Sequence, residues 1–407
     1  MAERPGLYAV DLGTSKVLAL AAELGAGGEI HVTGVGLAPS AGVRRGVVVD
    51  LAAAAEAVAA AVERAERMAG RSFGEVVLGI CGGAVACATE RVGVDVSDPD
   101  EVTAQDVARV LAAAREIVPG EGRALLHSIP RHFVLDGFEG VRQPVGLAGG
   151  RLDLETLVVT APSGVLRNAV RTAERGGLTV AEVTLNGLAA AEAVTTPEER
   201  ARGVMVVDVG AGCTDVVILV DGFAVYTAVV PVGGDLIRND IAAGLHMSLG
   251  RAETLKVEQG LCDPALVESG RMLETDPDAG PQGSTVSEAE LVEIVSARAD
   301  ELLGQVADQL RRSGCGRDMA AGAVLTGGGA RLRGLPALGM RTLDLPVRTA
   351  APRGCADVND LLGSPGCAAG VGLLQLAAAG LQPAVQEAAA TGPRRRRGLF
   401  DWLGRRR

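Results

Sequence analysis

At 407 residues the chain exceeds what one hydrophobic core supports, so several domains are expected. Apolar residues at 48% and charged residues at 22% exclude a disordered chain, while 2% aromatics and 56 glycines give it an Ala/Gly/Val-rich bias. The net charge of −11 is unevenly held: residues 394–407 carry seven arginines against Asp401, a local +6 that leaves −17 on the rest. An acidic body argues against general nucleic-acid binding, and a basic extremity argues for one localised anionic partner.

The apolar run before Asp11 is too short for the core of a signal peptide, so export is not expected. Leu7 to Leu20 reads as strand, tight turn, strand: Asp11 ends the first strand, Gly13-Thr14-Ser15 makes the turn, and Lys16 opens the second strand. The pattern returns at Val204 to Leu219, with Asp208 ending the strand and Gly210, Gly212, Cys213, Thr214 and Asp215 around the turn. An internal duplication explains this most simply. Glycine lets backbone amides approach a phosphate closely, and amides with hydroxyls form an anion nest. A carboxylate there would meet phosphate only through a metal, so Asp11 and Asp208 are expected to hold Mg2+ through water. Alone, either hairpin reads sooner as an ordinary turn; the ordered pair carries the inference.

Between the copies, residues 84–162 carry a small α+β pattern. Val92, Val94 and Val96 alternate as a strand, Thr103 caps a helix starting near Asp106, and further strands run through Arg131–Val134 and Leu154–Val159. His127 and His132 lack any partner at metal-ligand spacing and read as structural. Pro231-Val232-Gly233-Gly234-Asp235 is another close-approach glycine pair. Glu253 and Lys256 share one helix face, for which surface ion pairing is the plain reading. The strand Ala323–Thr326 runs into Gly327-Gly328-Gly329, which suits the adenosine side of a nucleotide and equally a glycine-rich helix start. Seven cysteines without a C-x-x-C read as reduced, mostly buried thiols. The uncharged stretch Ser364–Gln386 reads as a buried helix rather than a membrane span, because it is rich in Ala and Gly, holds two prolines and has few Leu or Val.

After Leu381 the composition becomes that of a linker, residues 382–393, leading to the tail 394–407. At helical pitch Leu399, Phe400, Trp402 and Leu403 fall within an arc of about 160°. Arg394, Arg395, Arg396 and Arg397 precede them. Confinement of the aromatics to one face favours a membrane surface over a solvated or nucleic-acid-binding tail.

This constellation resembles the actin, Hsp70 and sugar-kinase superfamily, which implies a two-lobed α/β actin-like fold. Within it the chain is similar, along nearly its whole length, to the FtsA family of bacterial cell-division proteins. The likeness rests on Arg45–Leu51 leading to the Ala-rich helix that ends Glu63–Gly70, on His127-Ser128-Ile129-Pro130, Asp136-Gly137, Pro144–Gly149 and Val230–Asp235, and on Asn239-Asp240-Ile241-Ala242.

The resemblance implies lobe 1 at 1–83, an inserted SHS2-like 1C domain at 84–162, and lobe 1 again at 163–201. Lobe 2 follows at 202–234, its upper subdomain at 235–317, lobe 2 again at 318–347, and a last part of lobe 1 at 348–381. It implies ATP and Mg2+, with phosphates at Gly13, Thr14, Ser15, Lys16, Gly210, Gly212, Thr214, Gly233 and Gly234, and adenosine at Glu253, Lys256 and Gly327 to Gly329. The implied partners are the tubulin-like division protein FtsZ, the chain itself in a filament, membrane lipids through the tail, and later division proteins through 1C. The implied location is the cytoplasmic face of the membrane at the division site. Two departures stand out: Cys213 where the family usually has Thr, and Arg238 where it commonly has Thr. No residue identifies itself as positioning water for hydrolysis; Asn186 and Glu192 are candidates, and slow or vestigial ATPase activity is expected. The alternatives are a sugar-kinase-like phosphotransferase and a pilus-assembly protein resembling PilM.

Overall fold

The computed structural model describes residues 6–82, 84–274, 285–356 and 361–390; the tail 394–407 lies outside them. Lobe 1 opens with β1 (Gly6–Leu12), β2 (Lys16–Leu24) and β3 (Ile30–Pro39). The short pair β4 (Val43–Arg44) and β5 (Val47–Val48), α1 (Leu51–Ala69) and β6 (Glu75–Ile80) follow. The insertion contributes β7 (Ala86–Asp95), α2 (Ala104–Arg115), β8 (Arg123–Leu135), β9 (Phe138–Val141) and β10 (Arg151–Pro162). Lobe 1 resumes with α3 (Ser163–Arg175), β11 (Thr179–Leu185), α4 (Asn186–Val194) and α5 (Pro197–Arg202). Lobe 2 holds β12 (Val204–Val209), β13 (Thr214–Val220), β14 (Phe223–Val230), α6 (Gly234–Gly244) and α7 (Leu249–Gln259). Its later elements are β15 (Met272–Glu274), β16 (Thr285–Ser287), α8 (Glu288–Ser313), β17 (Ala323–Thr326), α9 (Leu335–Leu343) and β18 (Val347–Thr349). The described chain ends with β19 (Cys355–Ala356) and α10 (Ala368–Ala390).

The duplication read from the two hairpins extends to whole sheets. Lobe 1 is ordered β11-β6-β1-β2-β3-β19 and lobe 2 β18-β17-β12-β13-β14. In each, the first strand pairs antiparallel with the second and parallel with a strand reached by crossover: β1 with β2 and β6, β12 with β13 and β17. Strands flanked by helices on both faces need continuous apolar runs, which is what Val204–Val209 supplies, buried throughout. The largest core is built mainly from lobe 1 and takes in one side of the lobe 2 sheet, including Val206, Val217 and Val324; a second core lies within lobe 2, and a third, under α2, belongs to the insertion.

The insertion is a sheet ordered β7-β10-β8-β9 with α2 on one face. Thr103 caps α2 through a capping box with Asp106, as its sequence suggests. Hydrogen bonds from the Thr103 hydroxyl and from Arg109 hold the Asp106 carboxyl well below the usual carboxylate range.

The scarcity of aromatics has a packing counterpart. Helix α1 buries Ala54, Ala57, Val58, Ala61 and Ala65 against the sheet. The approach is so close that a Cβ on Gly36 of β3 would collide with the Ala61 carbonyl, and one on Gly34 with that of Ala65. Helices α4 and α10 touch in the same way, since a Cβ on Gly372 would collide with the Ala189 carbonyl. The uncharged stretch near the C-terminus is indeed a buried helix: Ala368, Val371, Leu373, Leu374 and Ala378 of α10 are buried. No helix among the described residues is long and apolar enough to cross a membrane. Residues 382–390, read as linker from their composition, continue α10 as helix to Ala390. Apart from Pro383 the segment Leu381–Ala390 is rich in helix formers, and an existing helix extends at low cost once nucleated.

Candidate functional site

The two hairpins close identically. Gly13 N–H donates to Lys16 O at 3.1 Å, and Gly210 N–H donates to Cys213 O at 2.9 Å. Both turns are tight enough that a Cβ would crowd the closing carbonyl, at 2.7 Å for Gly13 and 2.9 Å for Gly210. The turns face each other across the lobes: a Cβ on Gly212 would stand 2.6 Å from Thr14 Oγ1. Thr14 Oγ1 accepts a hydrogen bond from Gly46 N at 3.0 Å, tying the first turn to the loop before α1. Ser15 is exposed at the tip.

Three carboxylates converge beneath the turns. Asp11, Asp208 and Asp215 are 6%, 8% and 4% exposed. Burial raises the Asp11 pKa, opposed by Lys16 and by the Asn186 amide, which donates to Asp11 Oδ1 at 2.7 Å. Burial, then the charge of Asp11, pushes Asp208 up to about 7. Asp215 is raised well above its ordinary value, first by burial and then by Asp208 and Asp11. Asp215 is the cross-strand partner of Asp208, and its Oδ1 is buried without a hydrogen-bond partner. Buried, mutually repelling carboxylates with an unpartnered oxygen suit a hard divalent cation.

The glycine pair braces the second turn. Gly234 N donates to Gly210 O and Asp235 N to Ala211 O, at 3.0 and 2.8 Å. Lys256 Nζ donates to Gly234 O at 3.1 Å and pairs with Glu253 at 2.7 Å, so the pair read as surface ion pairing also reaches the turn region. Opposite, a Cβ on Gly327 (φ 82°) would collide with Asp208 Oδ1, and Gly328 opens to free space. This loop packs on Pro365 and Gly366, which sequence reading missed: Gly327 N donates to Pro365 O at 3.1 Å, and Lys16 Nζ donates to Gly366 O at 2.5 Å. Lys16 thus lies between the carboxylates and the triple-glycine loop.

Some residues singled out from sequence lie differently. Thr214 is fully buried and its hydroxyl donates to Val232 O at 2.8 Å, so its proton is committed to bracing the turn. Of the two candidates on α4, Asn186 holds Asp11, whereas Glu192 pairs with Arg200 at 2.6 Å. Arg238 pairs with Asp235 at 3.0 Å. Asp215 was legible as the residue opposite Asp208 once the turn is closed at Gly210 and Cys213. The expectation of reduced thiols fails at one pair: Cys81, just after β6, is disulfide-bonded to Cys213, and the other five cysteines are free. Their separation of 132 residues hides that pairing from sequence inspection.

The family model "Cell division protein FtsA" matches residues 205–372, and that of the SHS2 domain inserted in FtsA matches residues 82–160. The solved PilM-PilN type IV pilus biogenesis complex has a TM-score of 0.64 at 18% identity, covering 92% of this chain and 99% of that one. MreB5 of Spiroplasma citri, bound to ADP, has a TM-score of 0.52 at 15% identity, covering 95% and 99%. These likenesses show the actin-like fold. Cell division protein FtsA of Pseudomonas aeruginosa is 34% identical over 90% of this chain and 88% of its own. The Escherichia coli protein of that name is 33% identical over 91% and 90%, and that of Bacillus subtilis 31% over 90% and 82%. Identity of this level over nine-tenths of the chain, on an actin-like fold carrying the SHS2 insertion, makes this chain a member of the FtsA family of cell-division proteins.

Proposed function

We propose that this chain binds ATP with Mg2+ between its two hairpins, and that the nucleotide controls self-assembly into a filament that tethers the tubulin-like polymer FtsZ to the cytoplasmic face of the membrane. The observation that carries the reading is the pair of equivalent hairpins facing each other above Asp11, Asp208 and Asp215. Supporting it, the fold neighbour MreB5 of Spiroplasma citri is described as bound to ADP and, in a second structure, to AMPPNP.

Asp11 and Asp208 would hold the cation through water, with Asp215 behind them. Bound there, Mg2+ would neutralise charge shared by the polyphosphate and the carboxylates. The backbone amides of the two turns receive phosphate oxygens, and the open face of Gly328 leaves room for the nucleoside. Asn186 fixes the Asp11 carboxylate by its hydrogen bond. Among the described residues, Glu192 is paired to Arg200 and Thr214 is bonded to Val232, so neither is offered to position water in line. ATP therefore acts as a conformational ligand with slow turnover.

The tail supplies membrane affinity in the same reading. Four large apolar side chains each contribute roughly 1.5 to 3 kcal/mol when fully buried, and each arginine near anionic lipid adds about 1 kcal/mol, against the ordering of the peptide. A single tail binds reversibly, and a filament multiplies the attachment through avidity. Later division proteins meet the inserted domain. The test is flotation of the full-length chain with anionic liposomes, with and without ATP, beside a chain ending at residue 393. Flotation should require ATP and the tail; equal flotation of both chains refutes the membrane reading, and absence of ATP binding by calorimetry refutes the nucleotide reading.

A further inference from the structure

The bond between Cys81 and Cys213 joins the two lobes. Cys81 stands at the end of β6 in lobe 1, immediately before the insertion, and Cys213 sits in the second hairpin's turn in lobe 2. Both are buried, at 7% and 4% exposure. Their backbones are held on both sides. A Cβ on Gly46 would collide with the Cys81 carbonyl, and a Cβ on Gly212 would stand 2.9 Å from Arg45 Cα. Their Cα atoms are 7.4 Å apart, beyond the span of roughly 4.4 to 6.8 Å usual for such a bond. The bond pins the turn of lobe 2 to lobe 1 beside the contact between Thr14 and Gly212. Since Thr14 and Gly212 already face each other at contact distance, a ligand held between the turns leaves only when the lobes part.

We propose that Cys81 and Cys213 form a redox latch across the cleft: oxidation by a peroxide ties the lobes together over a bound nucleotide, and a dithiol reductant releases them. In the first step one thiol attacks the peroxide, giving a sulfenic acid and one water. In the second the other thiol displaces hydroxide from that sulfur, giving the disulfide and a second water. Two electrons and two protons pass from the thiols to the peroxide, and the dithiol returns them on release. Cys213 occupies a position where the FtsA resemblance leads one to expect threonine, so the latch distinguishes this chain from relatives with a hydroxyl there.

The latch rests on the proposed nucleotide binding, and one experiment separates the two. Full-length protein and Cys81→Ser are loaded with a fluorescent ATP analogue and Mg2+. Each is treated with hydrogen peroxide or dithiothreitol, and release is followed by chase with unlabelled ATP. Non-reducing peptide mapping and metal analysis accompany the kinetics. Oxidised wild type should yield a Cys81–Cys213 linked peptide and release the analogue about tenfold more slowly than reduced protein. Dithiothreitol should restore the rate, and Cys81→Ser should release equally in both states. A linked peptide with unchanged release overturns the latch alone, as does equal slowing in Cys81→Ser. Stoichiometric zinc in the reduced protein also overturns it, because two thiols and the Asp215 carboxylate lie within 4.8 Å of one another and would then be a metal site. Failure of the reduced protein to bind the analogue refutes the nucleotide reading and the latch with it.

Discussion

Acidification from pH 7 to pH 5 should weaken the junction between the inserted domain and lobe 1 through one residue, His127. Its Nε2 on β8 accepts a hydrogen bond from the Leu185 amide at the end of β11, at 3.1 Å, and the next residue, Asn186, holds Asp11. Only a neutral ring accepts, and burial lowers the His127 pKa from 6.5 to about 4. Between those values the unfolded chain binds a proton that the folded chain does not. The contribution is therefore complete above about pH 6.5 and is lost as pH falls through the window. The full difference corresponds to about 3 kcal/mol, and about 2 kcal/mol is lost by pH 5. Partial exposure of the residue makes these upper figures. Asp11, Asp208 and Asp215, whose values are raised, run the opposite way and favour the folded state as pH falls. The measurement is therefore a difference: urea unfolding of wild type and His127→Gln at pH 7, 6 and 5, the glutamine carbonyl keeping an acceptor that does not titrate. Wild type should lose up to about 2 kcal/mol more than the variant over this range. An equal pH dependence of the two proteins refutes the reasoning.

Gly36→Ala should destabilise lobe 1 by about 1 to 3 kcal/mol, because the added methyl group meets the Ala61 carbonyl of α1; an unchanged urea midpoint counts against the backbone contact. Asp208→Asn should raise stability without nucleotide by roughly 1 to 3 kcal/mol at pH 8, since it removes a buried charge that Asp11 repels. The same change should weaken Mg-ATP binding by at least about tenfold, and calorimetry beside thermal melting reads both effects. Lys256→Met should cost no more than about 1 to 2 kcal/mol of stability, because Lys256 is largely buried but its partner Glu253 is exposed and can be solvated. Loss of its bond to Gly234 should still lower ATP affinity several-fold, and unaltered affinity would return Lys256 to a plain surface pair.

Much of the architecture was legible because it repeats. Two Asp-Gly hairpins almost 200 residues apart announced two lobes, and the sheets repeat the same pairings around β1 and β12. The Thr103 cap and the alternation of Val92 and Val94, both packed against the insertion's core, marked the insertion, since capping and side-chain alternation are local and leave local traces. What escaped was non-local. Thr214 reads as a hydroxyl offered to a ligand until β13 turns it beneath Val232. The Pro365–Gly366 contact and the Cys81–Cys213 bond join segments that only the fold brings together. The helical course of residues 382–390 escaped for a different reason, in that proline and glutamine suggest a spacer unless an established helix carries the chain through them.

The meeting of α4 and α10 constrains how the lobes can move. Helix α4 lies between the lobes, with Gly187 so near β13 that a Cβ there would stand 2.7 Å from Asp215 Cβ. On its other side Gly372 of α10 rests on the Ala189 backbone with no side-chain layer between them. Sliding one helix along the other would drive neighbouring methyl groups into carbonyls. A motion that keeps this contact therefore carries α4 and α10 together. Asn186, the first residue of α4 and the one that holds Asp11, would travel with that pair.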